Sequence, residues 1–185
     1  GNFNPEKFSE KANLPNVKMI EIKLSQGAKP GHGGVLPAAK NTEQIARIRG
    51  VEPHTMILSP PSHSAFSDAK GLVHFIKQLR ELSNGKPIGF KLCIGNTAEF
   101  EAICNEMIAE DCYPDFITVD GAEGGTGAAP LEFSDGVGMP FAPALIFVNK
   151  TLVSLNIRDK IRVIGSGKII SGFSILHAIA LGADM

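Results

Sequence analysis

Three observations predict an α/β fold made of parallel strands, part of a TIM-type (β/α)8 barrel. Short apolar runs suited to strands alternate with longer segments whose apolar residues recur at helical spacing. Strands separated by helices pair in parallel, since antiparallel neighbours need only a tight turn. The residues able to do chemistry gather in loops directly after the strand-like runs, which suits the mouth of a barrel better than the single crevice of a doubly wound sheet. Fewer strand-like runs are present than the roughly eight of a closed barrel. The expectation is therefore a partial barrel over residues 19–185, truncated at both ends, after an irregular or partly helical lead-in over residues 1–18 that carries Pro5 and Pro15.

Taken in order, residues 19–22 form the first strand and empty into a glycine-rich loop. Residues 42–49 carry Thr42 at a cap position and a short helical pattern. The apolar run 55–58, closed by Ser59-Pro60-Pro61, reads as a buried strand. Over residues 67–82, Leu72, Val73, Phe75, Ile76 and Leu79 mark a helix that covers a sheet, and Asn84-Gly85 ends it. Residues 88–93 are the next strand, followed after Asn96 by a helix with Phe100, Ile103, Cys104 and Met107 on one face. Strand 116–120 leads into the glycine-rich stretch 121–127. Helix 142–155, strand 160–164, the loop Gly165-Ser166-Gly167-Lys168 and helix 171–180 complete the pattern.

Composition narrows the function classes. The 185 residues are 43% hydrophobic and 20% charged, the balance of a globular protein with a substantial core. A net charge of -1 gives no global attraction to nucleic acid or to an anionic membrane, so any anion binding must be local. No apolar run reaches the roughly 18 residues of a membrane span and no secretory signal pattern opens the chain, so a cytoplasmic location is expected. Cys93, Cys104 and Cys112 lack metal-ligand spacing and read as buried, inert thiols. The five histidines show no metal spacing either.

The loop KLSQGAKPGHGG at 23–34 places Lys23 and Lys29 among four glycines. Lysines on a close-turning backbone can receive an anion, and the same composition also suits a solvated turn. This string, with Leu36-Pro37, the IARIRG run at 45–50, Ser59-Pro60-Pro61, Lys91-Leu92, the DGAEGGTGA run at 120–128 and Leu181-Gly182-Ala183-Asp184, resembles the synthase domain of glutamate synthase. In wording it is closest to stand-alone FMN-binding members of that family.

The resemblance implies an FMN-linked oxidoreductase whose parent reaction adds ammonia to 2-oxoglutarate and reduces 2-iminoglutarate to L-glutamate. It assigns Lys23, Lys29 and Arg49 to the dicarboxylate, with Lys29 also catalytic. It assigns Lys91 to the reduced flavin, where a strand-end lysine stabilises negative charge; without the family, Lys91 is equally a lysine leaving the barrel at its rim. Gly124, Gly125 and Thr126 are expected as a tight wall beside the flavin. Gly165, Gly167, Lys168 and Gly172 are expected around its phosphate, because backbone N–H groups after a late barrel strand face an anion. One departure is Val35, where the large enzymes carry a glutamine; it keeps a different oxo acid open as substrate. An iron-sulfur cluster belongs to such parents, but its cysteine ligands are not in this chain. The isolated piece is expected to be inactive and to form homo-oligomers through open barrel edges. A non-catalytic piece that only self-associates is the third alternative.

Overall fold

The computed structural model describes residues 3–125 and 129–185. Helix α1 (Pro5–Ala12) starts the chain: Pro5 takes the first helical turn and the Asn4 side chain accepts a hydrogen bond from the Lys7 amide at 2.8 Å. Strand β1 (Ile20–Lys23) follows. A long excursion then carries β2 (Val35–Leu36), α2 (Glu43–Arg49) and β3 (Ile57–Leu58) before α3 (Ala69–Leu82) returns the chain to the sheet. From there strand and helix alternate through β4 (Ile88–Leu92), α4 (Thr97–Ala109), β5 (Phe116–Asp120), α5 (Phe141–Ser154), β6 (Arg162–Ser166) and α6 (Gly172–Ala180).

Strands β1, β4, β5 and β6 lie side by side in that order and pair in parallel. This sheet with its outer helices is an arc of a TIM-type barrel. Ile22, Phe90, Ile117 and Val163 share one register row, are buried, and join the core formed with α3, α4 and α5. Because side chains alternate along a strand, the neighbouring positions face the other way. That inner face carries the row Lys23, Lys91, Thr118 and Ile164, and two residues further along Asp120 beside Ser166. The outer face is the apolar core and the inner face is polar. Beyond β6, the Asp184 amide donates to the Val163 carbonyl and the Gly165 amide to the Met185 carbonyl, both at 2.7 Å, in strand fashion.

Two expectations need correction. The run 55–58 is not a buried strand of the sheet: Ile57–Leu58 pairs antiparallel with Val35–Leu36, and Met56 and Leu58 are 61% and 66% exposed. Apolar character specifies burial only when the run can reach the core, and this one is tied to the loop after β1 through the Ser59 amide donating to Gly34. The last strand also begins later than expected. Residues Arg158–Lys160 form a 3-10 turn held by Arg158 donating to the Ile161 carbonyl, and pairing with β5 draws Gly165 and Ser166 into β6. Among the described residues no helix is long and apolar enough to cross a membrane.

A candidate anion site at the strand C-termini

The polar inner face ends at the C-terminal mouth of the sheet, where the loop after β1 begins. Leu24 continues the ladder for one residue by donating to the Lys91 carbonyl at 2.9 Å. Ser25 then ties the loop to the end of β4, its Oγ accepting from the Cys93 amide at 2.8 Å. The next anchor is deeper. The Gly27 amide donates to Asp120 Oδ2 at 2.8 Å, and a side chain at Gly27 would overlap the Gly121 carbonyl. Only glycine lets this backbone approach so closely.

Asp120 is 3% exposed and holds three neighbours at once. Besides Gly27, it accepts a hydrogen bond from Ser166 Oγ on Oδ1 at 3.0 Å, and Lys91 Nζ lies 3.4 Å from Oδ2. Lys91 Nζ also donates to Ser166 Oγ at 3.3 Å. A buried carboxylate requires such partners, because desolvating the charge alone is prohibitive. On the same inner face, Thr118 donates to Glu21 at 2.6 Å.

Lys23 and Lys29 line one hollow of about 300 Å³, together with Gln26, His32, Ser59 and Pro60. Among the described residues neither lysine is ion-paired. His32 packs edge-on to Phe133 at 5.3 Å between ring centroids, and its Nδ1 is buried without a hydrogen-bond partner. The hollow therefore offers two ammonium groups and a glycine-rich backbone to an anion. Arg49 does not share it: it ends α2 on the exposed excursion and is not among the lining residues.

The residues expected around a cofactor are spread over three settings. Lys91 faces the mouth as described. Gly124 closes a turn by donating to the Gly121 carbonyl at 2.7 Å, with Gly125 exposed beside it, whereas Thr126 lies outside the described residues. Gly167 has φ +120° and packs its backbone against Gly121 and Gly124, so the loops after β5 and β6 touch through side-chain-free backbone. Gly165 is inside β6 with its Cα toward the Phe141 ring, so it serves packing against α5. Lys168 is exposed, its Nζ 4.0 Å from Asp135. Gly172 opens α6, whose N-cap Ser171 accepts from the Ser174 amide at 3.1 Å.

Sequence reasoning missed Asp120 as a hub, along with Ser25 and Ser166. A usable signal for Asp120 existed: period two from Thr118 places it on the inner face at the last strand position. Glu123 was also missed. Its carboxylate accepts from the Phe141 amide at 2.9 Å and caps α5, which has Pro140 and no side-chain cap of its own. The thiols behave as expected, all three free and buried. Burial pushes Cys93 up to about 11 and Cys104 up to about 12.

A parallel barrel arc with cationic groups and glycine loops at its strand C-termini defines the class as an α/β barrel protein with a cationic, glycine-rich mouth. Residues 7–185 match the family described as the conserved region in glutamate synthase, and the chain belongs to that family. It is 40% identical over its whole length to the glutamate synthase large subunit-like protein YerD of Bacillus subtilis (strain 168), covering 35% of that protein. It is 37% identical over 166 residues, 89% of this chain and 32% of the relative, to the archaeal glutamate synthase [NADPH] of Methanocaldococcus jannaschii. Ferredoxin-dependent glutamate synthase 2 of Arabidopsis thaliana is 34% identical over 175 residues, 92% of this chain and 10% of that one. The chain thus spans about a third or less of these relatives. Among solved structures, a flavocytochrome b2 mutant with pyruvate bound matches at TM-score 0.53 and 17% identity over 97% of this chain and 37% of that one. That likeness concerns the fold.

Proposed function

We propose that this chain forms part of a glutamate synthase-type, FMN-dependent oxidoreductase that converts 2-oxoglutarate and ammonia to L-glutamate. The observation that carries the reading is the hollow shared by Lys23 and Lys29, two ammonium groups without ion-pair partners among the described residues, opening at the strand C-termini next to Lys91. A five-carbon dicarboxylate needs a cation for each end, and these lysines supply them. Lys29, placed beside the keto oxygen, polarises the carbonyl toward attack by ammonia and gives up a proton as water leaves. The resulting imine carbon takes a hydride and its nitrogen a proton to give the amino acid.

The residues present fit FMN. Backbone without side chains is presented where Gly167 packs against Gly121 and Gly124, and Lys91 brings positive charge to the mouth. Lys91 would hold the electron-rich edge of the ring, while the backbone of Gly167 and Lys168 would face the phosphate. When bound, the flavin supplies the hydride. Arg49 stays outside the proposed site because of its position on α2.

The test is to load the protein with FMN and titrate 2-oxo acids while following the visible flavin spectrum. Perturbation that saturates with 2-oxoglutarate and is weaker with pyruvate supports the reading. No flavin uptake would sink it, and a preference for a shorter oxo acid would move the substrate to the class that Val35 keeps open.

A further inference from the structure

Among the described residues Asp120 is the buried acid that joins the loop after β1 to the ends of β4 and β6, and the proposed reaction gives it no task. Its carboxylate receives the Gly27 amide from the loop that carries Lys29 and follows Lys23 at the end of β1, lies against the Lys91 ammonium from β4, and accepts the Ser166 hydroxyl from β6. The Gly27 contact links residues 93 apart in sequence and the Ser166 contact residues 46 apart, so neither follows from local geometry. The loop after β1 has few other long-range anchors: Ser25 to Cys93 near its start and Gly34 to Ser59 at its end. Between them, among the described residues, Gly27 is tied by hydrogen bond and His32 by packing on Phe133. Lys91 is likewise held at one spot by an acid and a hydroxyl rather than left to wander on its flexible stem.

We propose that Asp120 is a positioning residue that sets Lys29 in register with Lys23 and Lys91, which strand pairing already aligns, by binding the Gly27 amide and the Lys91 ammonium through the same carboxylate. The proposal deepens the glutamate synthase reading and rests on it for the identity of the two ligands. One group thereby fixes the distance between the dicarboxylate hollow and the flavin side of the mouth. It follows that damage at Asp120 reaches both sites together, whereas damage at Lys29 reaches one.

Amide hydrogen exchange at Gly27 tests the latch without any ligand. In the wild-type protein the Gly27 amide should exchange about tenfold or more slowly than the Gln26 amide, and Asp120→Ala should abolish that protection. Amides of Ile117 and Val119 in β5 should stay protected in the variant, which separates a lost latch from unfolding. Asp120→Asn keeps an acceptor for Gly27 but not the charge beside Lys91, so Gly27 protection should persist. Affinities for FMN and 2-oxoglutarate should both fall about tenfold in Asp120→Ala, whereas Lys29→Met should lower only the second. Equal exchange of Gly27 and Gln26 in the wild-type protein, or unchanged Gly27 exchange in Asp120→Ala, overturns the proposal even if the variant proteins are unstable. Protected Gly27 in a protein that binds neither ligand would instead remove the glutamate synthase reading and leave the latch standing.

Discussion

The two glycine-rich loops that carry lysines, after β1 and after β6, look alike in composition and differ in construction. The loop after β1 is anchored by Ser25, Gly27 and Gly34 to three other parts of the chain, and its Lys29 lines one hollow with Lys23. The loop after β6 lays Gly167 against its neighbour but turns Lys168 outward, 63% exposed and barely in reach of Asp135. Glycine supplies permission for a close approach in both. Buried anchoring converts that permission into a fixed site only in the first, so a cation there is worth more than one on the second.

The strongest way to break this contrast is Gly27→Ala. A methyl overlapping the Gly121 carbonyl must push two loops apart, and we expect a loss of about 3 kcal/mol in chemical denaturation. The same substitution at Gly172, where a methyl meets nothing, should be nearly silent. Next in size, Ser171→Ala removes the N-cap of α6 and should cost about 1 kcal/mol by the same measurement, without altering 2-oxoglutarate affinity. Arg49→Met sharpens the contrast from the other side. It should leave 2-oxoglutarate affinity unchanged by calorimetry, and a large loss there would show that α2 folds over the hollow.

The buried thiols give a smaller, pH-dependent effect. The folded values of Cys93 and Cys104 lie above the ordinary thiol range, so the folded state holds these protons to higher pH than the unfolded chain. The stability this contributes is complete below about 9 and fades as pH rises toward 11 for Cys93. Thiol reagents at neutral pH should therefore label Cys93 and Cys104 only as fast as the protein opens. Immediate labelling of the native protein would contradict their burial.

Beyond the open barrel edges, we propose that the outer surface at α6 takes part in self-association. Ile170, Phe173 and Leu176 stand 89%, 80% and 66% exposed on and before α6, a stripe that a solvated helix rarely shows. Light scattering across concentrations should find dimers or larger species, and Phe173→Lys should shift them toward monomer.

Much of the scaffold was legible because burial and periodicity report the same thing along α3, α4 and β5. The excursion between β1 and α3 was not, since three apolar residues shortly before Pro60-Pro61 fit a buried strand and an exposed antiparallel pair equally well. Lys23 and Lys29 could be grouped from their motif. Arg49 could not be placed, because its reach depends on how the excursion folds rather than on spacing. Asp120 stayed hidden for a related reason: its partners lie in one loop and two other strands distant in sequence, and an acidic residue within glycines reads as a wall until those segments meet.

The central claim is that Lys23 and Lys29 together hold a 2-oxo dicarboxylate. Isothermal titration of 2-oxoglutarate into FMN-loaded wild-type protein and the Lys23→Met/Lys29→Met variant tests it most directly. The account predicts one site in the wild-type protein, weakened about a hundredfold in the variant. Equal affinity in the two proteins would contradict it.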